Sequence, residues 1–337
     1  MLILGIESSC DDTSVALLDC SQNGCFVIKQ TTASQIGIHK KYGGVVPELA
    51  GRAHAEKIIV LLEKILKNQP HPDVIAITSG PGLITGLLVG VESARALSYI
   101  KKIPLVAVNH IAGHIHSVQI SPRDQKPNKI IYPALSLVVS GGHTELIYIP
   151  KQGRYQKLGA TLDDAAGECF DKTAQLINLP YPGGPRISSL AKNGNARAID
   201  FPRPMLNQDN YNFSFSGLKT SALYYRQKNP QFNPADFCAS LQQAIIDVLV
   251  GKTIKAVRQY RPKSLLVVGG VSANPLLRQT IQKQLRQFNL QTNCFLPAKK
   301  YCMDNASMIA VAGYYQAKNK RFTPWRKLKA DPGWAIA

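Results

Sequence analysis

Two stretches about 130 residues apart share one layout, and this duplication restricts the fold more than any other feature of the chain. MLILGIESSCDDTSVALLD (1–19) runs from apolar residues 2–6 into the polar turn Glu7-Ser8-Ser9-Cys10-Asp11-Asp12, then turns apolar again at 15–18. ALSLVVSGGHTELIYI (134–149) runs from an apolar strand through Ser140-Gly141-Gly142-His143-Thr144 into another. Each reads as strand, turn, strand. A third apolar strand, in SLLVVGGVSANPLL (264–277), ends in Gly-Gly and opens a helix. Glycine turns at strand ends let backbone N–H groups approach an anion closely, because no Cβ intervenes. The pattern predicts an α/β fold of two duplicated lobes, each a mixed sheet flanked by helices, with a nucleotide in a central cleft.

Apolar spacing near 3.6 predicts helices over 48–68, 86–102, 163–178, 236–260 and 304–320. The third begins with acids suited to a helix N-terminus, and Asp304 stands as the expected N-cap of the last. An N-terminal lobe is expected over 1–130, completed by helix 304–320. A C-terminal lobe is expected over 131–303, with an irregular or helical insert near 180–235, where Pro, Gly and Asn are frequent. No low-complexity linker separates the two.

No run of about 20 apolar residues occurs, so no transmembrane helix and no membrane partner are expected. The apolar N-terminus lacks a basic flank and meets acids early, unlike a secretory signal. The cysteine count is seven, and Cys-x-x-Cys does not occur. An odd count argues against a zinc ribbon or disulfide framework and for a reducing cytoplasm. Net charge is +19, from 40 Lys and Arg against 21 Asp and Glu, which favours a polyanionic partner. The basic tail, 321–337, sharpens this. Around its start, Lys318, Lys320, Arg321, Arg326, Lys327 and Lys329 alternate with Phe322 and Trp325, a mix of cations and stacking surfaces that suits nucleic acid.

VNHIAGHIHS (108–117) places His110 and His114 one helical turn apart, so both ring nitrogens can reach one ion. His116 is expected to point away. Zinc peptidases with this spacing carry Glu directly after the first His as general base. Here that position is Ile111. Asp304, at a helix start in YCMDNASMIA, would complete a two-histidine, one-carboxylate set.

The chain resembles the TsaD family of tRNA N6-adenosine threonylcarbamoyltransferases, formerly called O-sialoglycoprotein endopeptidases. The matching stretches run end to end: GIESSCDDTS, PELAGRAH, GPGLITGLLVG, NHIAGHI, LVVSGGHTEL, DDAAGECFDKTA, YPGGP, NFSFSGLKT, GGVSAN and DNASMIA. The resemblance implies the actin/Hsp70-like (ASKHA) ATPase fold. It implies His110, His114 and Asp304 as ligands of one divalent metal, Fe2+ before Zn2+, with Mg2+ a further candidate alongside nucleotide. It implies a backbone cradle from Val138 and Val139 through Ser140, Gly141 and Gly142. Asp171 would hold the ribose or threonyl part of the substrate, and Gly184 and Asn274 the adenosine. Ser188 stands where many members carry an acidic substrate contact. Glu7 and Asp11 are catalytic candidates in the first turn; with Asp12, they would position magnesium or the incoming amine, or shape the turn.

The implied reaction moves a threonylcarbamoyl group from threonylcarbamoyl-AMP to N6 of adenosine 37 in tRNAs reading codons that begin with adenine, releasing AMP. TsaB and TsaE are the implied protein partners, and the location cytoplasmic. Two rival classes are a glycoprotease-type metallopeptidase, which needs a nearby general base, and an ASKHA-fold small-molecule kinase, which needs no histidine pair.

Overall fold

A computed structural model describes residues 1–121 and 127–337. They form two compact units: Met1–Lys129 with Pro297–Ile336, and Ile130–Leu296.

The sheet of the first unit contains β1 (Leu2–Glu7), β2 (Asp12–Ser21), β3 (Gly24–Ser34), β4 (Val74–Gly80), β5 (Leu105–Asn109) and β6 (Ile120–Ser121), in the order β5-β4-β1-β2-β3-β6. β1 to β3 are antiparallel, and β4 and β5 run parallel to β1. Helices α1 (Ile36–His39), α2 (Pro47–Leu66), α3 (Ile84–Lys101) and α4 (His110–His116) occur between strands. Side chains alternate across a strand, so Leu4, Ile6, Val15, Leu17, Ile75 and Ile77 share one face. They pack there with Ile58, Leu61 and Ile65 of α2 and Val91 of α3. Both faces of the sheet are covered, as its near-continuous apolar strands require.

The first unit departs from the sequence expectation at Cys20 and Cys25, which form a disulfide. Register pairs them directly across the β2–β3 hairpin. Cysteine arithmetic cannot see that pairing, because it depends on strand register rather than on count.

The second unit has β7 (Ala134–Val139), β8 (Thr144–Lys151), β9 (Arg154–Ala160), β10 (Ser264–Val268) and β11 (Asn293–Phe295), ordered β11-β10-β7-β8-β9. A parallel neighbour on one side of an antiparallel hairpin repeats the arrangement around β1. Its helices are α5 (Ala166–Leu176), α6 (Gly183–Leu190), α7 (Ser216–Lys228), α8 (Pro234–Tyr260) and α9 (Pro275–Gln287). α8 is long and apolar enough to cross a membrane by length and composition, but 83% of that window is buried, which makes it a core helix. Phe237 of α8 is fully buried, as are Phe170, Phe201, Phe213 and Phe215 in the same core. The insert near 180–235 is partly helical, since α6 and α7 both lie in it. Buried Lys252 of α8 ties its loop down by donating to the carbonyls of Gln208 (3.3 Å) and Asn210 (2.8 Å).

α10 (Ala306–Lys318) returns to the open face of the first sheet. Ala306, Ala310 and Gly313 permit the approach. A Cβ on Gly5 would lie 2.2 Å from the Ala306 carbonyl oxygen, and one on Gly313 would lie 2.3 Å from the Ala76 Cβ. The cap of α10 differs from expectation: it is Asn305, whose side chain accepts from Met308 N at 3.0 Å. Asp304 lies one residue before that cap, and its carboxylate is not used as the cap. The second unit also ends at Leu296 rather than 303. Nor does 321–337 form a separate appendage. Leu328 is fully buried, Asp331 N donates to Ser79 O (2.7 Å), and Asn109 Nδ2 donates to Trp334 O (2.9 Å).

Candidate functional site

β5 ends in Asn109, whose side-chain oxygen accepts from Ile111 N (3.0 Å) and Ala112 N (3.3 Å). This cap starts α4 with His110 as its first residue. Gly113 lets α4 settle onto α10, because a Cβ there would lie 2.6 Å from Ile309 Cδ1. The helix thus turns His110 and His114 toward Asp304. Their rings stand edge to face at 4.7 Å, and Asp304 Oδ1 lies 3.5 Å from His110 Nε2 and 3.1 Å from His114 Nε2. One donor atom from each lies within 4.8 Å of the others. His116 turns away: its Nδ1 meets Gln119 Oε1 at 2.8 Å, and its ring packs on Tyr315.

The set fits a divalent ion on grounds of its own. Both ring nitrogens of His114 are buried without a hydrogen bond, and the 3.1 Å approach to Asp304 lacks hydrogen-bond direction. An orphaned buried imidazole is costly unless something else takes its lone pair. Two imidazole nitrogens and a carboxylate suit Fe2+ or Zn2+ and leave coordination positions open.

Glu7 lies behind His110. It is fully buried, and three donors meet it: Ser9 N on Oε1 (2.6 Å), and Thr78 Oγ1 (2.7 Å) and His110 Nδ1 (3.0 Å) on Oε2. A second hydroxyl, Ser9 Oγ, also reaches His110 Nδ1 at 3.0 Å. Burial acts to raise the Glu7 pKa, but the His110 charge and hydrogen bond outweigh it and lower it. For His110, burial acts to lower the pKa, and the charges of Asp304 and Glu7 reverse that. Nothing in the sequence marks Thr78 or Ser9 as supports of this pair; only the packing of β4 on β1 brings Thr78 to Glu7.

Asp11, in the turn before β2, and Asp12, the first residue of β2, are half-buried. Burial first, then the Asp304 charge, raises the Asp11 pKa, and burial pushes Asp12 up to about 7. The turn is braced by His54 of α2, which meets Thr13 Oγ1 at 2.7 Å and Cys10 O at 3.0 Å.

The remaining expected site residues all belong to the second unit. Val138 and Val139 have fully buried side chains, so only their backbone groups are available. Ser140 N donates to His143 O at 2.8 Å, closing the turn. Gly141 and Gly142 are exposed, and a Cβ on either would meet nothing within 4 Å. Gly269, at φ 90°, comes so close to the Val139 carbonyl that a Cβ would lie 2.4 Å from its oxygen. Asp171 of α5 accepts from Gly183 N (2.7 Å) and Gly184 N (3.4 Å), and so ties the YPGGP loop to α5. Ser188 is half-buried on α6. Asn274 caps α9 through Leu276 N (2.9 Å) and Leu277 N (3.2 Å) and donates to Gln242 Oε1 (2.7 Å). The acids expected to open α5 do otherwise: Asp163 accepts from Phe215 N and Ser216 N, at the start of α7.

The model of the TsaD family, tRNA N6-adenosine threonylcarbamoyltransferase, matches residues 26–311. A protein of that description from Geotalea daltonii is 47% identical over 344 residues, covering 100% of this chain and 97% of its own length. One from Bacillus subtilis is 46% identical, covering 93% of this chain and 90% of its own. One from Thermotoga neapolitana is 44% identical over the full length of both. Among solved structures, T. kodakarensis HypF has a TM-score of 0.60 at 14% identity, covering 97% of this chain and 49% of that one. The 2-hydroxyisocaproyl-CoA dehydratase activator from Clostridium difficile has a TM-score of 0.55 at 13% identity, covering 95% and 97%. At such identities the likeness shows the fold alone, which is of the ASKHA type.

Proposed function

The chain belongs to the TsaD family of tRNA N6-adenosine threonylcarbamoyltransferases, and from that premise we propose how its residues carry the transfer. The enzyme places a threonylcarbamoyl group on N6 of a tRNA adenosine. The donor in this reading is threonylcarbamoyl-AMP, the acceptor adenosine 37 of tRNAs reading codons that begin with adenine, and the leaving group AMP. The observation that carries it is the convergence of His110, His114 and Asp304, with Glu7 behind His110 and Ile111 where a hydrolase needs its base.

The acceptor amine is a poor nucleophile, because its lone pair is delocalised into adenine, so the donor must be activated. A metal ion held by His110 Nε2, His114 Nε2 and Asp304 would supply Lewis acidity toward a donor oxygen. Fe2+ is the first candidate and Zn2+ the second, with Mg2+ accompanying nucleotide. The N–H groups of Ser140 to Gly142 would hold phosphate or carbonyl oxygens without moving during reaction. Asp11, with its pKa raised by burial and by Asp304, is the carboxylate assigned to receive the amine proton. Gly184, Ser188 and Asn274 would line the adenosine side. Incubating the pure protein with threonylcarbamoyl-adenylate and unmodified tRNA, then analysing nucleosides, tests the reading. Formation of free threonine derivatives with unmodified adenosine would overturn it.

Asp171→Asn should keep the metal and weaken binding of a non-hydrolysable adenylate analogue roughly tenfold to a hundredfold. The change removes a charged acceptor that already anchors Gly183 and Gly184. Calorimetric titration measures it, and unchanged affinity would leave Asp171 as a loop anchor only.

Neutralising Arg321, Arg326, Lys327 and Lys329 together should weaken tRNA binding and flatten its dependence on salt. The log–log slope should fall by about 0.9 for each phosphate that these cations no longer neutralise. Adenylate affinity should not change. An unaltered slope would take these residues out of the RNA footprint. TsaB and TsaE are proposed protein partners in the cytoplasm. The exposed apolar residues Ile59, Val60 and Leu88 on α2 and α3 support a protein interface there.

A further inference from the structure

A groove of about 590 Å3 lies in the first unit where the C-terminal segment crosses the end of α3, lined by Tyr99, Lys102, Pro104, Phe322, Trp325 and Arg326 among others. That volume falls within the roughly 300–1,000 Å3 of small-ligand sites. None of these residues takes part in the metal cluster or the glycine cradle. We propose that this groove binds one unpaired nucleobase of the tRNA substrate, stacked on its aromatic rings with the flanking phosphates on its cations.

The rings are presented rather than hidden. Tyr99 is 53% exposed and Phe322 45%, and the Tyr99 and Trp325 rings lie 5.1 Å apart, tilted by 59°. Trp325 forms a half-buried floor against the core of this unit. The groove is held in shape before any ligand arrives. Thr323 N donates to Leu105 O at 2.8 Å, Thr323 Oγ1 accepts from Ala107 N at 3.2 Å, and Lys327 N donates to Pro324 O at 2.8 Å. Rigid aromatic surfaces lose little entropy on binding, which is why they serve as stacking platforms.

Charge decides the class of ligand. Lys102 Nζ lies 4.5 Å from the Tyr99 ring centre, and Arg326 Cζ lies 4.8 Å from that of Trp325. The stretch 318–329 carries six cations and no acid. Among the described residues, Lys102, Arg321, Arg326, Lys327 and Lys329 make no ion pair. An apolar protein surface docking here would have to bury those charges uncompensated, at high cost. A nucleotide brings a π face for the rings and a phosphate for the cations. The base must be unpaired, because a base inside a duplex has no free face to offer.

The proposal rests on the reading that the chain binds tRNA, and the test separates the two. The protein has two tryptophans, so Trp334→Phe leaves Trp325 as the sole tryptophan fluorophore. Unmodified tRNA and a short single-stranded RNA should quench Trp325, and a blunt RNA duplex of equal length should not. In the same background, Tyr99→Ala and Phe322→Ala should each weaken tRNA binding roughly tenfold at an unchanged salt slope. Arg326→Gln should instead flatten the log–log slope by about one. Phe322 is exposed enough that its truncation leaves the core intact, so it guards against a folding artefact. Equal quenching by the duplex, or full tRNA affinity in Phe322→Ala, would overturn the base site while leaving tRNA binding in place. Failure of the parent protein to bind tRNA at all would remove both readings.

Discussion

His110→Ala and Asp304→Ala are expected to lose the bound divalent ion and nearly all transfer activity while remaining folded. Each substitution takes one donor from a three-donor set, and the two that remain are too few for a stable site with open positions. Neither side chain belongs to an apolar cluster, so both variants should still fold, but His110→Ala leaves the buried Glu7 carboxylate without its imidazole partner and should be the less stable of the two. Elemental analysis of the purified variants checks the first claim, and thermal unfolding the last. Full metal occupancy in both would remove the site. In the parent protein an ion at this site would compete with the proton on His110, whose pKa the charges of Asp304 and Glu7, working against burial, raise to about 9. Metal affinity should therefore rise as pH climbs toward that value and fall as it drops. A pH-independent affinity would contradict the assignment of His110 as a ligand.

Glu7→Gln is expected to lower metal affinity by about ten- to a hundredfold without touching a metal ligand. The carboxylate accepts from Ser9 N, Thr78 Oγ1 and His110 Nδ1 at once. A glutamine has one oxygen for three donors, so its amide must face at least one N–H or O–H. If the oxygen serves Thr78 and His110, the Ser9 amide is orphaned and the turn leading to Asp11 shifts. If it serves Ser9, the His110 ring loses its carboxylate acceptor, and only the weaker Ser9 Oγ remains to hold its Nδ1 proton and keep Nε2 aimed at the ion. Glu7→Ala leaves all three donors unmet and should also lower stability by about 3–5 kcal/mol, the typical consequence of removing one partner of a buried charged pair. Competition against a chelator of known strength measures the metal affinity. Unchanged affinity in a cooperatively folded Glu7→Gln protein would reduce Glu7 to a structural acid.

The sequence by itself determined the repeated strand–turn–strand units, because alternation and glycine turns are local signals that survive in any context. It also determined the His110–His114 pair, since four residues of helix place two side chains on one face whatever surrounds them. The position of Asp304 opposite that pair came only from tertiary structure. About 190 residues separate it from the histidines, and the small residues of α10 bring it there by letting that helix lie against β1 and α4. The same packing decided which side chain caps α10. Asn305 has both an acceptor for Met308 N and donors for nearby carbonyls, so it takes the cap and leaves the Asp304 carboxylate to the imidazoles. The residues mark Glu7 as a catalytic candidate in a polar turn, not as the buried support of His110. Its role depends on Thr78 reaching it from the neighbouring parallel strand, an approach set by sheet order. Cys20 and Cys25 show the same limit, since their pairing is a matter of register. Patterns that repeat within one element are written in the residues, whereas the partner of a polar side chain is chosen by which elements pack together.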